Sequence, residues 1–142
     1  MIIYIRKNDQ LISIIIRSQY KTEGIKFFTP DDFSQQLAYM NREKAYVIPP
    51  HIHNKVERKV SLTQEVLYIK SGKVRVDYYD ENKVYFESRI LNTGDVALFS
   101  SGGHGFTMIE ESEIIEVKQG PYSGDQDKSR FKPVSNKEIN LK

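Results

Sequence analysis

The chain has 142 residues, enough for one domain with a single core and no covalent staples. Its 21 basic and 19 acidic residues leave a net charge of +2 with the signs interspersed, which argues against a nucleic-acid-binding stripe. With no cysteine, disulfides, thiolate metal ligands and a cysteine nucleophile are excluded.

Residues 2–5 and 11–17 are rich in isoleucine and flank the turn-prone Lys7, Asn8, Asp9 and Gln10, so an N-terminal β-hairpin is expected. The apolar run 11–16 is too short to span a bilayer and has charge on both sides, so it reads as neither signal peptide nor membrane anchor. A cytoplasmic protein without a membrane partner is the expectation. The hairpin carries more consecutive apolar residues than a half-exposed edge should, which predicts a homodimer. The competing expectation is a hairpin that covers its own domain.

One short helix is predicted next. Thr29 can cap it, Pro30 suits its first position, Asp31 and Asp32 complement its positive end, and Phe33, Leu37 and Met40 recur at spacings of four and three before Asn41. From Tyr46 onward the pattern changes to short strands. The stretches 66–70, 74–79, 84–91, 96–100, 106–109 and 113–118 are separated by turn residues, the signature of an antiparallel sandwich or barrel. The stretch from Lys55 through Arg58 and Lys59 is broken by Glu57 and reads as a solvated loop, and the polar tail 131–142 reads as a mobile or loosely docked end.

The three histidines carry the chemistry. His51 and His53 stand in PPHIH, and His104 stands in SSGGHGF. In a strand, residues two apart share a face, so the first two imidazoles would converge on one point. Neutral imidazole is the commonest ligand for biological transition metals, and a third histidine brought in by the fold would extend the pair into a metal site.

PPHIH, TQEVLYIKSGKV and LNTGDVALFSSGGHGF together resemble the two motifs of the cupin superfamily, over about residues 45–119 of a single domain 1–142. The resemblance implies an all-β fold, a cupin-type double-stranded β-helix or jelly-roll barrel, here with the N-terminal β-hairpin and one short helix. It also implies that two histidines and a glutamate of the first motif and one histidine of the second hold a divalent metal. Carried onto this sequence, the ligands are His51, His53, Glu65 and His104. Two glutamates compete: Glu57 fits the spacing after the second histidine, and Glu65 fits the spacing before Gly72. Glu65 is preferred because it shares a strand face with the apolar Leu67 and Ile69, whereas Glu57 sits among Asn54, Lys55, Arg58 and Lys59. The sequence departs from the family at Ala45, at Ser100 and Ser101, and at Met108, none of which is a ligand position.

Three imidazoles and a carboxylate suit one divalent ion, manganese, iron, nickel or zinc, and leave two of six positions open. Parity places Phe106 and Met108 on the face of His104, so an apolar wall is expected beside the metal. Beyond the metal ligands the sequence offers no firm general acid or base, and Tyr68 and Tyr78 become candidates only if the strand register differs. Three functions follow: a metal-dependent enzyme acting on a small molecule, in carbohydrate or surface-polysaccharide metabolism by resemblance; a non-catalytic metal or small-molecule binding or sensing module; and a metal-independent nucleotide-sugar isomerase or epimerase. An inward glutamate counts against the third.

Overall fold

Ten strands in the computed structural model, which describes residues 1–142, form three antiparallel sheets and no closed barrel. The chain is therefore all-β, as the strand pattern predicts. It divides into two compact units, one made of Met1–Tyr20 with Leu62–Lys142 and the other of Lys21–Ser61. No helix is long and apolar enough to cross a membrane.

In the first unit, β1 (Ile2–Lys7) and β2 (Gln10–Ile16) form the expected hairpin. Asn8 and Asp9 turn it with φ of 49° and 63°, the double left-handed conformation that Asn and Asp tolerate and that matches the twist of paired strands. From β5 (Glu65–Ser71) the chain runs through β6 (Lys73–Tyr79), β7 (Tyr85–Asn92), β8 (Val96–Phe99), β9 (Gly103–Met108) and β10 (Glu113–Lys118). One sheet has the order β1-β2-β8-β5-β10 and the other β7-β6-β9. Both supply side chains to a single core: Ile5, Ile12, Ile15, Leu67, Ile69, Ala97 and Phe99 from the first, Val74, Val76, Tyr78 and Leu91 from the second. Two sheets sharing one apolar interior make a sandwich. Gly72, at φ 89°, makes the turn from β5 to β6, and a Cβ there would strike the Glu111 carbonyl.

The N-terminal isoleucines are used inside this chain. β2 lies between β1 and β8, and Ile12, Ile14, Ile15 and Ile16 are buried without a partner molecule, so the apolar run needs no dimer to explain it. The sheet has two open edges, β1, where Tyr4 is exposed, and β10, where Ile115 and Val117 are exposed.

The second unit holds β3 (Gly24–Phe27) paired with β4 (Ala38–Asn41). The helix expected over 30–41 is absent. Thr29 Oγ1 accepts from Leu37 N at 3.1 Å and donates to Gln36 Oε1 at 2.9 Å, while Gln36 Nε2 donates to the carbonyls of Pro30 (2.9 Å) and Phe33 (3.0 Å). One glutamine amide thus satisfies carbonyls that a helix would have paired, and Met40 goes to a strand opposite Ile25. The strand expected through PPHIH is also absent, since no strand lies between Asn41 and Glu65. Pro49 and Pro50 have no N–H to give a ladder.

The tail is not loose. Ser88 N donates to Asn140 O at 2.8 Å and Lys142 N to Ser88 O at 3.0 Å, which adds a short parallel bridge at Leu141 to β7. Val134 N donates to the Tyr79 hydroxyl at 2.9 Å and Asn140 N to the Tyr85 hydroxyl at 2.7 Å. Its polarity, which reads as solvation in sequence, is spent on hydrogen bonds to the outer face of the three-stranded sheet.

Candidate functional site

Glu65 opens β5, and its alternation partners Leu67 and Ile69 are core residues, so the carboxylate faces the interior between the sheets. His104 lies on β9 opposite Tyr78, itself fully buried in the core, and therefore faces the same interior from the other sheet. The two meet: His104 Nε2 donates to Glu65 Oε1 at 2.6 Å. Residues 39 apart in sequence, on different sheets, are joined by the sandwich itself.

Two aromatic rings flank His104. Phe99, opposite Glu65 across β8, lies 4.5 Å from His104 between ring centroids, and Phe106 lies 5.2 Å from His104 and 5.4 Å from Phe99. The wall beside His104 is apolar, as the parity of Phe106 predicts. A cationic group joins from β10, where Lys118 is the cross-strand partner of Glu65 and its ammonium approaches Glu116 at 3.7 Å and Asp127 at 3.8 Å. Asp127 is held by the Thr63 hydroxyl at 2.6 Å. Burial pushes the Glu65 carboxyl up, but the His104 hydrogen bond and charge, with help from Lys118 and Lys128, more than offset it and hold the carboxyl below its ordinary value. Glu65 is thus an ionised acceptor at neutral pH.

Of the two tyrosine candidates, Tyr78 is buried and Tyr68 is exposed. The Tyr78 hydroxyl is sealed in the core, donating to Ser13 Oγ at 3.2 Å, and burial raises it well above its ordinary range. Tyr68 alternates with Leu67 and Ile69 and points to the opposite, exposed face.

The other two histidines lie in the second unit. His51 and His53 are exposed, with ring centroids 5.2 Å apart and planes at 77°, so they stand side by side without a strand. His51 Nδ1 bonds the Pro49 carbonyl at 2.9 Å, which leaves Nε2 as its free ligand atom. Glu57 is exposed, as are Lys55, Arg58 and Lys59. The structure thus forms two pairs, Glu65 with His104 and His51 with His53, one in each unit. Neither unit by itself gathers three His, Asp or Glu side chains in metal-holding geometry.

A carboxylate oxygen and an imidazole nitrogen are both ligand-type atoms for a divalent ion. Two ligand atoms about 2.1 Å from one ion and at right angles lie about 3.0 Å apart, so Glu65 Oε1 and His104 Nε2 need to open by about 0.4 Å to ligate together. Phe99, Lys118 and Asp127 are site residues that sequence reasoning did not identify. Phe99 could have been found from its strand parity with Ala97. Lys118 could not, because the register between β10 and β5 is set by tertiary pairing.

No protein family, curated protein or solved structure matches the chain.

Proposed function

We propose that the chain is a metal-binding cupin in which His51, His53, Glu65 and His104 hold one divalent ion, manganese, iron, nickel or zinc, and that it is a metal-dependent enzyme acting on a small molecule of carbohydrate or surface-polysaccharide metabolism. The observation that carries this reading is the Glu65–His104 contact: the two motifs, read separately in sequence, each deliver a ligand-type atom to one point between the sheets. The same contact favours Glu65 over Glu57 as the carboxylate. A bound ion would act there as a Lewis acid with open positions for a bidentate substrate. Around it, His51 is oriented by the Pro49 carbonyl, Phe99 and Phe106 give His104 an apolar wall, and Lys118 supplies positive charge beside Glu65. We place the protein in the cytoplasm as a homodimer joined at the free edge of β1, with neither membrane nor nucleic acid as partner.

A second reading draws on the same 2.6 Å bond. His104 oriented by an ionised Glu65 is a carboxylate–imidazole dyad able to move a proton without a metal, so the inward glutamate, which in sequence counts against an isomerase or epimerase, becomes the orienting carboxylate of one. Elemental analysis of protein purified without an affinity metal separates the two. Near-stoichiometric metal, lost in both His51→Ala and His104→Ala, supports the first; metal that stays stoichiometric in both variants contradicts it. Turnover that survives chelation and is lost in Glu65→Gln supports the dyad.

A further inference from the structure

β9 carries His104 at the edge of its sheet, so only β6 holds it by backbone pairing. Its outer face is almost bare: Gly103 and Gly105 flank His104 in sequence and, by alternation, present their missing side chains to the side opposite the imidazole. Tyr79, the cross-strand partner of Gly103, occupies that side. Phe131 from the C-terminal tail packs edge-on against Tyr79 with centroids 4.9 Å apart. A methyl group added to Gly103 would come 3.0 Å from Phe131 Cζ and 3.2 Å from Tyr79 Cβ, so the Phe131 ring and the root of the Tyr79 side chain rest directly on the β9 backbone. Further along β9, Arg75 Nη2 reaches Thr107 Oγ1 at 3.3 Å and Asn136 Oδ1 of the tail at 3.4 Å. The tail therefore supports β9 on both sides of His104.

We propose that Phe131 is a positioning residue for His104: seated on Gly103 from the outer face, it fixes the edge strand so that the imidazole on the inner face meets Glu65. The proposal rests on reading Glu65 and His104 as the functional pair. Two features of sequence without an evident role, the glycines around His104 and the lone aromatic in a polar tail, become the two halves of one contact. An edge strand without this support is free to shift outward, and a shift of about 1 Å is enough to break a hydrogen bond of this length.

The test uses the full chain, free of metal, with 15N-labelled histidine rings observed by NMR. Phe131→Ala is expected to move the His104 ring-nitrogen signals toward their positions in Glu65→Gln while those of His51 and His53 stay in place, and Phe131→Leu to recover more than half of that shift. Asn140→Ala removes a different tail contact, the bond to the Phe86 carbonyl, and is expected to leave His104 unmoved. If His104 responds to Glu65→Gln but not to Phe131→Ala, or responds equally to Asn140→Ala, the positioning role is overturned while the pairing stands. If Glu65→Gln itself leaves His104 unmoved, the pairing is wrong and the proposal falls with it. Should Phe131→Ala fail to fold, Gly103→Ala presses on the same contact from the other side: displaced His104 signals support the role, and unmoved signals overturn it.

Discussion

Glu65→Gln keeps the shape of the side chain and removes its charge, so it isolates what the carboxylate contributes. Without metal, the loss is the difference between a charge-assisted bond, about 1.5 to 3 kcal/mol, and a neutral one, about 0.5 to 1.5 kcal/mol. The side chain is 13% exposed, so solvent screening is modest and the loss should come to about 1 kcal/mol, a fall in Tm of about 3 to 6 °C. With metal, a first-contact anionic oxygen becomes a neutral amide, and affinity should drop at least about tenfold, or about 1.4 kcal/mol. Glu57→Gln is the internal control. Its carboxylate is exposed among Lys55, Arg58 and Lys59, where charge pairs contribute about 0 to 1 kcal/mol, so neither Tm nor metal affinity should change appreciably. Calorimetry gives the first quantity and competition with a chromophoric chelator the second. A larger affinity loss in Glu57→Gln than in Glu65→Gln would refute Glu65 as the carboxylate ligand.

The pH dependence of stability has a defined sign at the same residue. The folded-state carboxyl of Glu65 lies below its ordinary value, so its contribution is fully present above the unfolded value near 4.5 and is lost as pH falls through the folded value; the stability gap between metal-free wild type and Glu65→Gln should close on acidification, and a gap that widens would contradict the pairing of Glu65 with His104. Asp95, only 1% exposed, accepts from Arg17 at 2.7 Å and from the backbone of Ser18 and Asn92 at 2.9 Å, so Asp95→Ala should cost about 3 kcal/mol or more in urea unfolding, and a loss under 1 kcal/mol would show that this network is dispensable. Ile14 is fully buried, so Ile14→Thr should cost about 2 kcal/mol of fold stability, whereas Tyr4→Lys on the open β1 edge should convert a sedimenting dimer into a folded monomer; a monomeric wild type at micromolar concentration would sink the dimer.

Strand structure was legible where a pattern of period two met turn residues. Asn8 and Asp9 marked the first hairpin, and the alternation of Glu65, Leu67 and Ile69 showed which carboxylate faces inward. What failed was local reading of residues whose partners lie elsewhere. Thr29, Pro30 and the apolar spacing that follows them are valid helix signals, yet the Gln36 amide closes the segment as a turn and β3 claims its end as a strand. PPHIH alternates correctly, but two prolines remove the donors on which a strand depends. The tail was misread because its polar groups find backbone and tyrosine partners that no sequence window contains. His104 was legible as chemistry from its motif; its 2.6 Å contact with Glu65 follows from two sheets sharing a core.

The central claim is that four side chains from two motifs meet at one ion. X-ray absorption spectroscopy of protein loaded with a single equivalent of manganese or zinc tests it most directly, with His51→Ala and Glu65→Gln measured beside the wild type. The account predicts three imidazoles and one carboxylate at about 2.0 to 2.3 Å, one imidazole fewer in His51→Ala and the carboxylate oxygen lost in Glu65→Gln. A wild-type spectrum with two imidazoles that is unchanged by Glu65→Gln would place any ion on His51 and His53 alone and contradict the account.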